Sequence, residues 1–128
     1  MKKLLSILAA LFLAVSAQAG EFPDISISEL KTAIAEGKVT VIDVNGTESW
    51  KRGHIPGAVD FDQNGSTLGK VLPKDKKALV VAYCGGPKCK AYQAAAKAAA
   101  KLGYKNVKHM SAGISGWKDA GEKTEKGS

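Results

Sequence analysis

The sequence predicts an α/β fold: a mainly parallel central sheet of about five short strands, with helices on both faces. Two observations predict it. Short β-branched or aliphatic runs recur along the chain and are apolar enough to be buried. Between them lie segments with helical spacing or helical propensity, the crossovers that parallel strands need.

The first helix is read in "SISELKTAIAEGK". Ser26 and Glu29 have capping-box spacing, Leu30, Ala33 and Ile34 share a face, and Gly37 is a stop signal. "VTVIDV", residues 39–44, is a buried strand, and "TESWKRG" holds one or two helical turns ending at Gly53. "HIPGAVDF" carries a Pro-Gly turn and a strand over 58–61. "DQNGSTLGK" reads as a polar loop. "ALVVAY", residues 78–83, is the most apolar strand. An alanine-rich helix follows over 90–102, ended by Gly103. "NVKHM" is the last strand, and "SAGISGWKDAG" is a turn and a short helix. The polar end from about residue 121 is expected to fray.

Residues 1–19 have the form of a cleaved secretory leader. Lys2 and Lys3 are followed by an apolar stretch, Leu4 to Val15, and by Ala17-Gln18-Ala19, a small-x-small cleavage pattern. The stretch is short for a membrane span. Cleavage after Ala19 would leave one domain, residues 20–128, exported to the periplasm or beyond and free of the membrane. It removes two lysines and no acids, so the net charge falls from +7 to +5. No dense Lys/Arg block marks a nucleic-acid binder. The positive balance better suits a small anionic substrate.

The chain's two cysteines, Cys84 and Cys89, bracket "GGPK" between the most buried strand and the alanine-rich helix. Ligands of open parallel sheets bind at the carboxyl ends of strands, and Cys84 stands at such an end. Gly85 and Gly86 let the backbone curl and Pro87 stiffens it. The free N–H groups at the next helix start point back toward the loop. Amides of this kind, with Lys88 and Lys90 nearby, favour a thiolate. Cys84 is therefore the candidate nucleophile. In an oxidising compartment the same two thiols can also pair as a simple disulfide.

These residues carry a resemblance that covers nearly the whole exported part. "VIDVNGTESWKRGHIPGAVDF", "VVAYCGG" and "GISGW" resemble, in order and spacing, the signature segments of single-domain rhodaneses. The resemblance implies a three-layer rhodanese-like fold and sulfurtransferase chemistry without a cofactor. Cys84 would take a sulfane sulfur from a small anionic donor such as thiosulfate, holding it as a persulfide. A thiol, cyanide or a protein acceptor would then remove it. The chain departs from the family in two places: Asn45 and Cys89 stand where many members carry Arg. Lysine neighbours attract anions but lack the guanidinium fork, so a polysulfide or protein persulfide is as good a donor as thiosulfate. Cys89 is either a resolving thiol for persulfidated Cys84 or its disulfide partner.

The remaining candidates are supporting ones. Asp43 and Glu48 could form an acid–base pair, but polar satisfaction near the loop, through Arg52 or a backbone amide, is the simpler role for Asp43. His54 in Gly-His-Ile-Pro-Gly-Ala reads as a turn residue and His109 as structural or exposed. Trp50 and Trp117 read as packing residues. The spacing of the cysteines and histidines matches no zinc pattern. Lys90 lies six positions after Cys84, where phosphatases of this fold place Arg, which argues against phosphatase chemistry. Three classes stay open: a sulfurtransferase using Cys84, a thiol–disulfide oxidoreductase using both cysteines, and a non-enzymatic persulfide carrier. A monomer is expected.

Overall fold

The computed structural model describes residues 22–127. The expected leader lies outside them. Four parallel strands form one sheet: β1 (Val39–Asp43), β2 (Val59–Asp60), β3 (Leu79–Tyr83) and β4 (Asn106–His109), in the order β2-β1-β3-β4. The helices are α1 (Ile27–Ala35), α2 (Thr47–Arg52), α3 (Phe61–Asn64), α4 (Leu68–Val71), α5 (Tyr92–Lys101) and α6 (Gly113–Asp119). The expected sheet of about five strands thus has four. Beside β4, Asp24 makes a single parallel bridge to His109. That segment extends no further as a strand, because Pro23 has no N–H to donate and Ser26 already caps α1.

Alternation along the central strands builds two cores. Ile42, Val80, Ala82 and Val107 face one side and pack with Leu68, Leu72 and the Ala95, Ala96 and Ala99 stripe of α5. Val41, Val81 and Tyr83 face the other side and pack with Leu30, Ile55, Met110 and Trp117. Side-chain period two in the strands makes this division unavoidable once both faces are covered. Ala95, Ala96 and Ala99 of α5 are fully buried, and their small side chains let the helix lie close on the sheet.

The capping box of α1 forms as expected, with the Glu29 amide donating to Ser26 Oγ and the Ser26 amide to Glu29 Oε1. Two expectations are corrected. Residues 62–70 are not a loop: α3, a 3-10 turn (Gly65–Thr67) and α4 follow one another there. Asp60 caps α3 through the Asp62 amide, and Leu68 and Leu72, one turn apart, are drawn into the core. Helix α5 begins at Tyr92 rather than Lys90, because the chain from Gly86 to Cys89 closes a turn first.

Over the described residues the polar tail makes specific contacts with the domain. Glu125 pairs antiparallel with His54, with 2.9 Å hydrogen bonds in both directions. The Trp117 indole donates to Lys123 O, and Gly127 N–H to Lys51 O. Backbone groups of His54 and Lys51 thus find their hydrogen-bond partners in the tail.

Candidate active site at the carboxyl edge of the sheet

All four strands are parallel, so the loops after them share one edge. From β1 the chain crosses outward to β2. From β3 it crosses the opposite way to β4. The loops that follow β1 and β3 therefore flank the topological switch point, the place where open α/β sheets bind ligands. Asn45 stands on one side of it and Cys84 with its loop on the other. The Asn45 Oδ1 lies 3.8 Å from where a Cβ on Gly85 would be.

Cys84 is 3% exposed and is bonded to the partly exposed Cys89, with Cα atoms 6.3 Å apart. The loop is fixed from behind by α6. The Ile114 amide donates to Cys84 O at 2.9 Å and the Ser115 amide to Gly85 O at 3.0 Å. These are N–H groups of the first helical turn, which need acceptors outside their own helix. In front, the Cys89 amide donates to Gly86 O at 3.1 Å. In this disulfide form one amide of the expected cradle is thus taken by a turn. The amides of Gly85, Gly86, Lys88 and Lys90 donate to no backbone acceptor among the described residues. Pro87, Lys88 and Lys90 are exposed.

Gly113 makes the docking of α6 feasible. Its φ is +65°, and a Cβ there would fall 2.5 Å from Gly85 C, Gly85 O and Gly86 N. Backbone cannot yield as a flexible side chain can. Gly113→Ala is expected to cost roughly 1–3 kcal/mol and to push the loop off α6. Urea unfolding together with the rate of thiol labelling of the reduced protein would measure both effects. Unchanged labelling would show that the loop does not depend on this contact.

Beside the switch point lies a buried polar network. Asp43 is 1% exposed; it accepts from Tyr83 Oη at 2.5 Å and from the Asn45 amide at 2.7 Å. Tyr83 Oη in turn accepts from Ile55 N–H at 3.1 Å. Burial pushes the Asp43 carboxyl above its ordinary value, while the bonds from Tyr83 and Asn45 act against that rise. Burial and the adjacent carboxylate push the Tyr83 hydroxyl up, so it stays a donor. The native state therefore holds the Asp43 proton more tightly than the unfolded chain does. Its contribution to stability is fully present below pH 3.8, the ordinary value, and is lost as pH rises through the higher folded pKa. Asp43→Asn lacks this titration. The stability of wild type relative to Asp43→Asn should fall as pH rises above 3.8; a pH-independent difference would contradict it.

The supporting residues separate into those the site collects and those it does not. Asp43 does not use Arg52, which is exposed; its partners are the Tyr83 hydroxyl and a backbone amide. Glu48 is exposed on the first turn of α2, and Asp43 is buried and engaged elsewhere. His54 is buried and anchors the tail: Nδ1 lies 2.7 Å from the Trp50 carbonyl, as a donor to it, and the ring stacks on the Trp50 indole at 4.3 Å. His109 stacks on Tyr92 at 4.2 Å, with Nδ1 2.9 Å from Phe22 O.

The sequence reading did not place Tyr83 or Asn45 in the site. A tyrosine closing a buried aliphatic strand just before Cys84 is the signal for the first, since a buried hydroxyl needs a partner. Asn45 is marked only by standing where many rhodaneses carry Arg. Its Nδ2 is buried with no hydrogen-bond partner, although the side chain lies near enough to Asp43 to favour the carboxylate.

Fold and site together define a class: an open parallel α/β domain with a single cysteine-bearing loop at its switch point. A model of the rhodanese-like domain matches residues 26–120, and the chain belongs to that family. The HTH-type transcriptional regulator Rv0324 of Mycobacterium tuberculosis is 32% identical over 105 residues, covering 80% of this chain and 45% of that protein. The chain therefore spans less than half the length of this curated relative. The BH2092 protein of Bacillus halodurans has a similar structure, with a TM-score of 0.67 and 27% identity over 92% of this chain and 85% of that one. The human single-domain sulfurtransferase TSTD1 shares the fold at a TM-score of 0.62, with 23% identity over 76% and 96% of the two chains.

Proposed function

We propose that the chain is an exported sulfurtransferase. Cys84 takes a sulfane sulfur from a small anionic donor (thiosulfate, a polysulfide or a persulfide), and passes it to a thiophilic acceptor. The observation that carries this reading is the place of Cys84: a buried cysteine at the carboxyl end of a central strand, at the switch point of the sheet, followed by loop amides without backbone acceptors among the described residues. Membership of the rhodanese-like family supports it. Asn45 lies beside the loop, its Oδ1 3.8 Å from where a Cβ on Gly85 would be, and its Nδ2 is buried without a hydrogen-bond partner. Lys88 and Lys90 supply positive charge at the loop. Export rests on the leader pattern of residues 1–19.

The first step is a displacement. The Cys84 thiolate attacks the outer sulfur of thiosulfate, the S–S bond of the donor breaks, and sulfite leaves with its electron pair. The disulfide form has no thiolate at Cys84 and cannot begin. Reduced, desalted Cys89→Ser protein exposed to thiosulfate or polysulfide should gain one sulfur atom by intact mass, and oxidised wild type none. Subsequent loss of that atom to cyanide, with thiocyanate formed catalytically, distinguishes a transferase from a carrier. No gain by the reduced Cys89→Ser protein would overturn the proposal. The disulfide itself favours a second reading, thiol–disulfide exchange without sulfane sulfur, and that result would support it.

A further inference from the structure

We infer that Cys89 is a resolving thiol, and that the chain releases sulfane sulfur as hydrogen sulfide by closing the Cys84–Cys89 disulfide. This rests on sulfur uptake at Cys84 and adds a second, reductive outcome to it. The structure contains the product of the closing step. Cys84 and Cys89 are bonded while the four strands, α5 and α6 are all in place. The closed disulfide is therefore compatible with the complete fold. Cys84 sits at the end of β3 and its carbonyl is held by Ile114. Cys89 lies in a segment without helix or strand, so it is the partner free to move.

The chemistry balances in three steps. Uptake leaves Cys84 as a persulfide. The Cys89 thiolate then attacks Cys84 Sγ, a new Sγ–Sγ bond forms, and the bond from Cys84 Sγ to the sulfane sulfur breaks. That sulfur leaves with the electron pair and a proton as hydrosulfide. The sulfane sulfur is reduced and the cysteine pair oxidised by the same two electrons. An external dithiol finally reduces the disulfide, becoming a disulfide itself. The net reaction turns sulfane sulfur and a dithiol into hydrogen sulfide and an oxidised dithiol.

The exposures of the two sulfurs favour this order. Cys84 is 3% exposed, whereas Cys89 is partly accessible. An incoming dithiol meets Cys89 first and expels Cys84. Thiol–disulfide exchange is faster when the departing thiolate is stabilised, and Cys84 is the cysteine at the strand end followed by unpaired amides. Each reduction thus frees the sulfur that must attack the next donor.

The test is a single turnover without added thiol. Reduced wild type and Cys89→Ser are loaded with sodium polysulfide, rapidly desalted, and followed by intact mass and sulfide assay. Wild type should release one sulfide per chain and end two hydrogens lighter than the dithiol, at least tenfold faster than Cys89→Ser releases any. Cys89→Ser should keep its extra sulfur until dithiothreitol is added. If wild type holds its sulfur as long as Cys89→Ser, the resolving role is overturned while uptake at Cys84 stands. If neither protein gains sulfur, uptake itself fails and the inference fails with it.

Discussion

Cys84→Ser is expected to reduce sulfur transfer to cyanide by three or more orders of magnitude, on the scale seen when a covalent nucleophile is removed. A serine hydroxyl is scarcely ionised near neutral pH and forms no persulfide, so both half-reactions disappear. The loss should be confined to chemistry. Cys84 is buried at a strand end, and serine has nearly its shape. The carbonyl that receives Ile114 N–H is unaffected by the side chain. Removing the disulfide frees only a short loop, and loop-closure entropy changes slowly with length. Thermal unfolding compared with reduced wild type checks the fold. Cyanide turnover with thiosulfate and with polysulfide checks the chemistry. Residual transfer above one-hundredth of wild type would show that Cys84 is not the sulfur carrier.

Tyr83→Phe should produce the largest loss of stability among conservative changes near the site, about 2–4 kcal/mol. The ring fills the same space, so packing is preserved. The hydroxyl does not only donate to Asp43; it also accepts from Ile55 N–H. Its removal leaves one carboxylate oxygen and one amide without these partners in a region where Asp43, Ile55 and residue 83 are all buried. An unpaired buried carboxylate is costly, and it responds by binding its proton more readily. The stability penalty should therefore be larger at neutral pH than in acid. Combining Tyr83→Phe with Asp43→Asn should give less than the sum of the two single losses, since both act on one network. Urea midpoints of the four proteins measure this. Additive losses would mean that the bond between Tyr83 and Asp43 contributes nothing.

These two expectations differ in how far the sequence reveals them. Cys84 is legible because local order suffices: an apolar strand, a cysteine, two glycines and a helix place the thiol wherever such a strand ends. The parallel α/β class is legible for a similar reason, since β-branched runs separated by helical segments have few ways to bury both. The Ser26–Glu29 capping box depends on residues three apart and was read directly.

What the tertiary structure decided involves partners distant in the chain. Asp43 and Tyr83 are 40 residues apart and meet only because β1 and β3 pair in register. The tail from residue 121 is polar by composition, and its partners, His54 and Lys51, lie some 70 residues earlier in the chain. Helices α3 and α4 were hidden in a polar stretch because Leu68 and Leu72 reveal their role only when the core is there to receive them. Gly113 needs its missing side chain because the backbone of Gly85 occupies that space. Periodicity and turn chemistry are properties of neighbours, and one sequence carries them. Which buried polar groups find each other is set by strand order and register, which this chain fixes only when both of its cores close.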